Sequence, residues 1–274
     1  MFGMFGVFAN RKLAAFVQRW LVFVVFVLVW QWAATVVHNV VFPTPLAIAA
    51  KARELWLDGP PSHLFLGSAI NQDILPSVGR LAEGWVIASV AGIVIGISLG
   101  LVPWLAEYAS AVLAFMRAVP PVMLVPVFLV LFHIGNPMQL ATIIFGSIWP
   151  VLLNSVDGAR SVDPIKADTA RAYRIGRLRW VLSVVLPAAS PKIFAGLRIN
   201  LAFALILMVV SELVGSPDGL GFRITSAEDT FDYRTMWAGI ALVSVLGFVL
   251  NRLLVAVEER ALSWHHSSTR LLEG

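Results

Sequence analysis

A glutamate inside an apolar run and four arginines wedged between two such runs are the groups whose chemistry stands out. Glu212, with Ser211 beside it, sits near the end of INLAFALILMVVSEL (199–213). A carboxylate in a membrane span is costly unless it meets a partner or an aqueous cavity. Glu212 is therefore an outer gate or pathway residue, with Ser211 sharing its cavity, or else a member of a structural pair or a carboxylate near the headgroups. Arg117 precedes Pro120, Pro121 and Pro126 and poses a similar choice. It either attracts an anionic solute along a translocation pathway or snorkels to the interface and anchors its helix. The four arginines, Arg171, Arg174, Arg177 and Arg179, lie in DTARAYRIGRLRWVLSVVLPAASPKI (168–193). Enzyme chemistry finds no foothold. There is no HExxH, no pair of carboxylates in a cytoplasmic loop and no serine–histidine arrangement. His38 and His133 fall near span ends, where a polar tip meets water. With no cysteine, neither disulfides nor thiolate metal sites are possible. No catalytic and no metal site is expected.

The elements that must position these groups follow from composition. The chain is 59% hydrophobic and 13% charged, with a mean hydropathy of +0.84. Soluble domains carry about 25% charged residues, so this is an integral membrane protein in contact with lipid. Crossing the hydrocarbon core takes about 20 apolar residues. The runs place spans at Trp20–Val41, Leu81–Val102, Tyr108–Phe132, Met138–Asn154, Ile193–Val214 and Met236–Val257. The first is too long for a signal peptide and reads as a retained span. A proline-punctuated loop follows it, with a short interfacial helix around Leu46–Leu57. Gly92, Gly96 and Gly100 share one face of the second span and allow another backbone to approach closely. Prolines break the third span, HIGNP (133–137) is a turn, and residues 216–234 form a polar, acidic outer loop. The expectation is an all-α polytopic protein of about six transmembrane helices.

Six spans put both termini on one side, and the positive-inside rule selects the cytoplasm. That choice places Arg11, Lys12, Arg19, the segment from Arg160 to Arg198, and Arg252, Arg260 and Arg270 inside. Only Lys51, Arg53, Arg80, Arg223 and Arg234 fall outside. The +4 net charge thus reads as membrane orientation; no nucleic-acid-reading motif accompanies it. Residues 1–70 comprise a cytoplasmic segment, the first span and an outer loop. Residues 71–274 form the core, with a cytoplasmic segment at 160–192. Within that segment Asp163 is a plausible N-cap and Pro164 a first helical residue. Gly176 weakens the helix, and Pro187 and Pro191 limit its continuation. On physics alone it is either one or two short helices outside the bilayer, joined by a bend, or a basic helix resting on anionic headgroups.

The spacing of this segment resembles the cytoplasmic "EAA" loop of binding-protein-dependent ABC importer permeases. That pattern runs Glu-Ala-Ala, three residues, Gly, nine residues, Ile, one residue, Leu-Pro. It aligns from Asp168-Thr169-Ala170 to Val184, Leu186 and Pro187. Asp168 replaces the glutamate, and Arg174 takes the glycine position, with Gly176 two residues on. Because φ > 0 disfavours arginine, the turn is expected to move to Gly176 or to disappear. RAVPPVMLVP (117–126), the stretch 186–213, GLGFRI (219–224), MWAGI (236–240) and ERALSWHH (259–266) extend the resemblance. They are similar to the nitrate/sulfonate/taurine/bicarbonate class, from about residue 70 to the C-terminus.

The resemblance implies the type I ABC importer permease fold in a bacterial cytoplasmic (inner) membrane. It implies a second copy of this permease, two ATP-binding cassette subunits and a periplasmic or lipid-anchored substrate-binding protein. The chain has no GxxxxGK[S/T] loop, so ATP and Mg belong to the partner subunits and no cofactor is bound here. Asp168, Thr169, Ala170, Arg171, Tyr173, Arg174, Gly176, Leu186 and Pro187 are then the ATPase-coupling surface. Asp218, Arg223, Glu228, Asp229 and Asp232 are candidates for docking the binding protein, and a solvated loop is the alternative. The cargo is expected to be a small organic or inorganic anion such as a sulfonate, taurine or nitrate. An ion-coupled secondary transporter is the rival; it needs coupling carboxylates or broken helices near the midplane.

Overall fold

A computed structural model describes residues 4–58 and 67–263, with side chains described from Trp20 onward. The side chains of Arg11, Lys12 and Arg19, residues 59–66 and residues 264–274, which include Arg270, lie outside the described residues. The described residues form eleven α-helices and no strand: α1 (Met4–Val37), α2 (Pro45–Trp56), α3 (Leu75–Leu101), α4 (Pro103–Ala118), α5 (Val125–Phe132), α6 (Asn136–Arg160), α7 (Pro164–Ala172), α8 (Arg177–Trp180), α9 (Leu186–Gly215), α10 (Leu220–Asp229) and α11 (Tyr233–Ala261).

Prolines start most of the helices, because the first turn needs no N–H partner and a fixed φ suits it. Pro45, Pro76, Pro103, Pro126, Pro137, Pro164 and Pro187 all sit there. Pro187 and Pro191 do not stop the chain from continuing as helix. Pro191 lies inside α9, and its absent N–H leaves the Pro187 carbonyl without its intrahelical partner. The Ser190 hydroxyl donates to that carbonyl at 2.7 Å. Helical structure thus runs from Arg177 through a π-helical stretch, Val181–Val185, to Gly215, well beyond the expected span at Ile193–Val214.

By packing, the chain divides into two units: residues 1–68 with 224–241, and residues 69–223 with 242–274. Residues 224–241 pack with the first unit. There Trp237 stacks edge-on against Trp30 at 5.3 Å and donates its indole N–H to the Val41 carbonyl at 2.9 Å. Gly239 also packs against Ile224.

The second unit is built on α3, α6 and α9. Lipid tails are as apolar as leucine, so membrane helices associate through close van der Waals fit and interhelical hydrogen bonds. Glycines supply the fit. A Cβ on Gly96 would sit 2.5 Å from the Leu152 carbonyl oxygen, and one on Gly100 would sit 2.6 Å from Ala159 Cβ. Gly158 and Gly196 do the same between α6 and α9, against Ala189 and the Pro150 carbonyl. Around these contacts Ile97, Val151, Val185, Ala189 and Ile193 form one buried cluster; Leu81, Ile143, Ala204, Leu207 and Met208 form another. Asn200 of α9 donates to Ser89 of α3 at 2.9 Å, both buried. Val86, Val90 and Val94, on another face of α3, are exposed, as suits a lipid-facing surface.

Contacts at the helix ends fix the topology. Arg80 of α3 bonds Asn136 of α6 at one end, and Gly100 faces Ala159 at the other. Thus α3 and α6 run parallel. Arg80 also pairs with Glu212 near the end of α9, while Gly158 meets Ala189 near its start, so α9 is antiparallel to both. The chain between α3 and α6 must therefore recross the same thickness. It does so through α4 and the Pro121–Phe132 segment, which meet at 83°. The third span is a broken crossing rather than a kinked rod, and six crossings result when it is added to the five long apolar helices.

Replacing Gly96 with leucine should separate α3 from α6, because the carbonyl it meets cannot rotate away. We expect the purified Gly96→Leu protein to lose cooperative thermal unfolding. Gly79→Ala, at a site with nothing within 4 Å, should unfold at or slightly above the wild-type temperature, by up to about 1 kcal/mol of helix propensity. Equal behaviour of the two variants would refute the close-packing account.

Candidate functional site

The segments 163–187 and 211–223 lie at opposite ends of the α3–α6–α9 core. At one end α6 gives way to α7 and α8. Asp163 caps α7 by accepting the Ile165 N–H at 2.8 Å, and Pro164 follows at the first helical position. The helix closes with two reciprocal bonds: Ile175 N–H to Ala170 O at 2.9 Å and Arg174 N–H to Arg171 O at 3.0 Å. This is the Schellman pattern, whose pivot residue is left-handed and usually glycine. Here the pivot is Arg174, with φ 50°. Gly176 has φ −62° and begins α8 in an extended conformation. The turn has neither moved to Gly176 nor disappeared: the two bonds hold Arg174 in a conformation costing about 1–2 kcal/mol.

The segment is unusually bare for so apolar a chain. Ile165, Tyr173 and Leu178 are 72%, 79% and 73% exposed. Asp168, Thr169, Arg171, Arg174, Gly176, Arg177 and Arg179 are exposed as well. Asp168 and Arg171 pair at 2.8 Å across one turn, in solvent. Ala170 is buried beneath them, and Leu186 and Pro187 are half-buried where α9 begins.

At the other end Glu212 is only 1% exposed. Arg80 Nη1 donates to its Oε1 at 2.8 Å, the Gly221 N–H donates to Oε2 at 2.9 Å, and Ser77 Oγ lies 2.8 Å from both oxygens. Ser77 Oγ also accepts the Leu220 N–H at 2.8 Å. Arg80 engages Asn136, Ser216 and the Asp218 backbone, and forms an ion pair with the Asp218 carboxylate. Both charges are thereby compensated, as burial requires. Gly219, at φ +103°, has no room for a Cβ, which would fall 2.6 Å from the Glu212 carboxylate. Of the two readings for Glu212, the geometry is that of a structural pair. Ser211, fully buried, donates to the Met208 carbonyl.

The expected docking residues separate into engaged and free. Asp218 is tied to Arg80, and Arg223 grips buried Asp73 through Nε at 3.0 and 3.1 Å. Residues 220–229 are helix α10 rather than an open loop, so GLGFRI is a helix start more than a turn. Glu228 and Asp229 are exposed near the end of α10. Asp232 caps α11, accepting the Thr235 hydroxyl at 2.7 Å and its N–H at 3.2 Å. The hydroxyl bond is the main reason its carboxyl titrates below the ordinary range. Sequence reasoning missed Asp73, Ser77 and Arg80; Arg80 counted only as an outer charge. A serine and an arginine one turn apart at a span entrance were the available signal. Arg117, in the last turn of α4, is exposed and lines a cavity with Trp149 and Arg160. Among the described residues no group of three His, Cys, Asp or Glu could hold a metal.

Truncating either buried partner should leave an uncompensated charge. Arg80→Ala or Glu212→Ala is expected to lose about 3–5 kcal/mol; the Arg80→Met/Glu212→Leu double variant should recover much of it in thermal unfolding. Additive losses would contradict the pairing. Asp232→Ala should cost about 1 kcal/mol at neutral pH. Because folding lowers this pKa, the cap's stabilisation is present above the unfolded value and disappears as pH falls through the folded one. The difference from wild type should therefore vanish in strong acid.

Comparison with known proteins bears on the whole arrangement. Residues 89–263 match the family described as binding-protein-dependent transport system inner membrane component. The chain is 30% identical over 260 residues to a Bacillus subtilis (strain 168) protein named as an aliphatic sulfonates transport permease, SsuC, spanning 94% of this chain and 91% of that one. It is 29% identical over 239 residues to the taurine transport system permease protein TauC of Escherichia coli (strain K12), spanning 86% of each. With the nitrate import permease protein NrtB of Leptolyngbya laminosa it shares 28% identity over 220 residues, 79% of this chain and 77% of that one. The inward-facing MetNI methionine ABC transporter shares the fold, with a TM-score of 0.55 at 18% identity, over 67% of this chain and 94% of its own. On these likenesses the chain belongs to the binding-protein-dependent inner membrane component family, as a permease subunit of an ABC importer in the nitrate/sulfonate/taurine/bicarbonate class.

Proposed function

We propose that two copies of this chain form the passage of an importer for a small anion, driven through α7 and the Arg174 turn by two ATP-binding subunits. The observation that carries this reading is the exposed platform of Ile165, Arg171, Tyr173, Arg174 and Leu178, held rigid by a capped helix and a closed turn. Apolar tips ringed by arginines suit a protein cleft bearing carboxylates, where the planar guanidinium can bind in a forked manner. The platform leads directly into the helical run from Arg177 to Gly215. A displacement at α7 would thus be transmitted along α9, toward the end where Glu212 and Arg80 fasten it to α3.

In this reading α7, α8 and both termini are cytoplasmic, consistent with six crossings and with the arginine-rich side facing inward. ATP and Mg act on the partner subunits; closure of that pair pulls the platforms together and rocks the permease halves between inward- and outward-facing states. A periplasmic or lipid-anchored binding protein delivers cargo at the opposite face. Glu228 and Asp229 are the free acidic contacts there, whereas Asp218, Arg223 and Asp232 are occupied in holding their own segments. The anionic cargo rests on relatives named for aliphatic sulfonates, taurine, nitrate and bicarbonate. Each of these carries a negatively charged oxyacid group.

Asp168→Arg tests the platform. An exposed ion pair contributes about 0–1 kcal/mol, so insertion and folding should be unchanged. Co-purification of the ATP-binding subunit with the tagged chain, and uptake in cells, should fall at least about tenfold, the equivalent of one charge-assisted hydrogen bond. Arg174→Gly keeps the left-handed turn while removing a charge, and should retain more coupling than Arg174→Val, which a β-branched residue cannot accommodate. Wild-type uptake in Asp168→Arg would remove this surface from the coupling path.

A further inference from the structure

The groove between α4 and the second half of α6 carries features that the coupling platform does not use. It encloses about 190 Å³ and is lined by Leu99, Ser110, Arg117, Trp149, Val156 and Arg160, among others. Two arginines line it, and no carboxylate does. Among the described residues neither the Arg117 nor the Arg160 side chain has a hydrogen-bond or ion-pair partner. Trp149 adds a second, independent observation: its indole Nε1 is buried without an acceptor. Ser110 donates to the Glu107 carbonyl, leaving its oxygen lone pairs as the one polar acceptor on this wall.

Position makes these donors unusual. Trp149 lies about half-way along α6, and just beyond Arg117 the chain breaks at 83° where Pro121 packs on Gly146. Arg117 is therefore inside the membrane thickness, whereas Arg160 ends α6 beside the coupling platform. An arginine facing lipid at that depth is expensive, and such residues face water-filled paths or other protein. The two guanidiniums thus mark a groove leading from the interior of the bundle to the α7 end. The volume is several times the roughly 30 Å³ share of one water, enough for a three- or four-atom oxyanion with part of its hydration. Forked N–H donors suit planar or tetrahedral oxyanions, and a broken helix beside them is a setting in which membrane proteins hold small solutes.

We propose that this groove is an anion subsite of the passage, in which Arg117 and the Trp149 N–H receive a small oxyanion and Arg160 draws it toward the α7 end. The proposal rests on the anionic cargo assigned above and extends it to named residues. A lipid phosphate has the same recognition chemistry as a free oxyanion, so the test separates the two sources.

The test uses the complete transporter purified with its ATP-binding subunits. Thermal unfolding is followed while methanesulfonate or nitrate is titrated against chloride at matched ionic strength, in detergent and in nanodiscs with or without phosphatidylglycerol. Wild type should show a saturable stabilisation by the oxyanions. Arg117→Gln should weaken the apparent affinity about tenfold or more, the loss of a charged hydrogen-bond donor. Trp149→Phe, which removes only the N–H, should weaken it by a few-fold, and Arg53→Gln, in the other packing unit, should leave it unchanged. If Arg117→Gln unfolds, Arg117→Lys replaces it and should keep intermediate affinity. No saturable shift in wild type, or wild-type affinity in the Arg117 and Trp149 variants, overturns the subsite. Stabilisation by phosphatidylglycerol alone assigns the groove to headgroups and overturns it too. A transporter whose cargo proves neutral would remove the anion-import reading, yet an Arg117-dependent oxyanion shift would still locate the site; anion uptake with an unresponsive groove would do the reverse.

Discussion

The close approach of α3 and α9 to α6 is the constraint on which the rest of this protein depends. In lipid, burying leucine against leucine gains little over burying it against acyl chains, so the helices hold together through surfaces that fit without gaps. Gly96 and Gly100 bring α3 onto the backbone of α6, and Gly158 and Gly196 bring α6 and α9 together. The same approach makes room for polar contacts that would otherwise be too far apart, among them the buried Asn200–Ser89 hydrogen bond. It also fixes the helices' relative directions. Those directions require α4 and α5 to recross the membrane between them, which is why a bent pair stands where a straight span would be simpler.

The bundle treats its two ends differently. At the Glu212 end the buried charges have specific partners: Arg80 bridges Glu212 and Asp218, while Asp73 holds Arg223. Buried ion pairs of this kind contribute less to net stability than to specifying one arrangement, because desolvation offsets much of their attraction. Here the arrangement specified is the return of the chain from α9 into α10, with Gly219 and Gly221 letting the backbone lie against the carboxylate. At the α7 end the charges of the platform, Asp168, Arg171, Arg174, Arg177 and Arg179, are exposed, and the one ion pair among them is the weak Asp168–Arg171 contact.

Much of this was readable from residue types, for definable reasons. Hydropathy located the crossings because lipid imposes a minimum apolar length. Asp163-Pro164 announced the start of α7, and the Gly92/Gly96/Gly100 spacing announced a tight helix contact. Three features were hidden. Prolines at 187 and 191 look like stop signals, but whether they end a helix depends on where the first turn falls and on whether a neighbour such as Ser190 takes the orphaned carbonyl. Arg174 disguises its turn, because the Schellman bonds are backbone bonds and leave no mark in the sequence when the pivot is not glycine. Phe231 does the same after α10, where Phe231 N–H meets Glu228 O and Asp232 N–H meets Ala227 O. The Arg80–Glu212 pair joins residues 132 positions apart, and no local pattern encodes such a contact. Glu212 alone therefore leaves the pathway and structural readings open, because its partner lies far away in the sequence.

The strained turn and the fastened end have opposite demands on the same helix. Arg174 accepts a left-handed backbone at a cost of about 1–2 kcal/mol that glycine would largely avoid. A cost of that size is borne where the surroundings over-determine the conformation, and it is informative when the residue brings something glycine lacks. What arginine brings is an exposed guanidinium at the apex of a rigid elbow. The helical run that begins at Arg177, just past Gly176, reaches Gly215 beside the buried pair. A force applied at the elbow therefore meets a lever whose far end is pinned by charge and whose middle is packed on glycine. The response open to the bundle is a movement of α9 together with α3 and α6 as one body. Such a body can move without unmaking its own contacts, which is what the proposed rocking against a second copy would require.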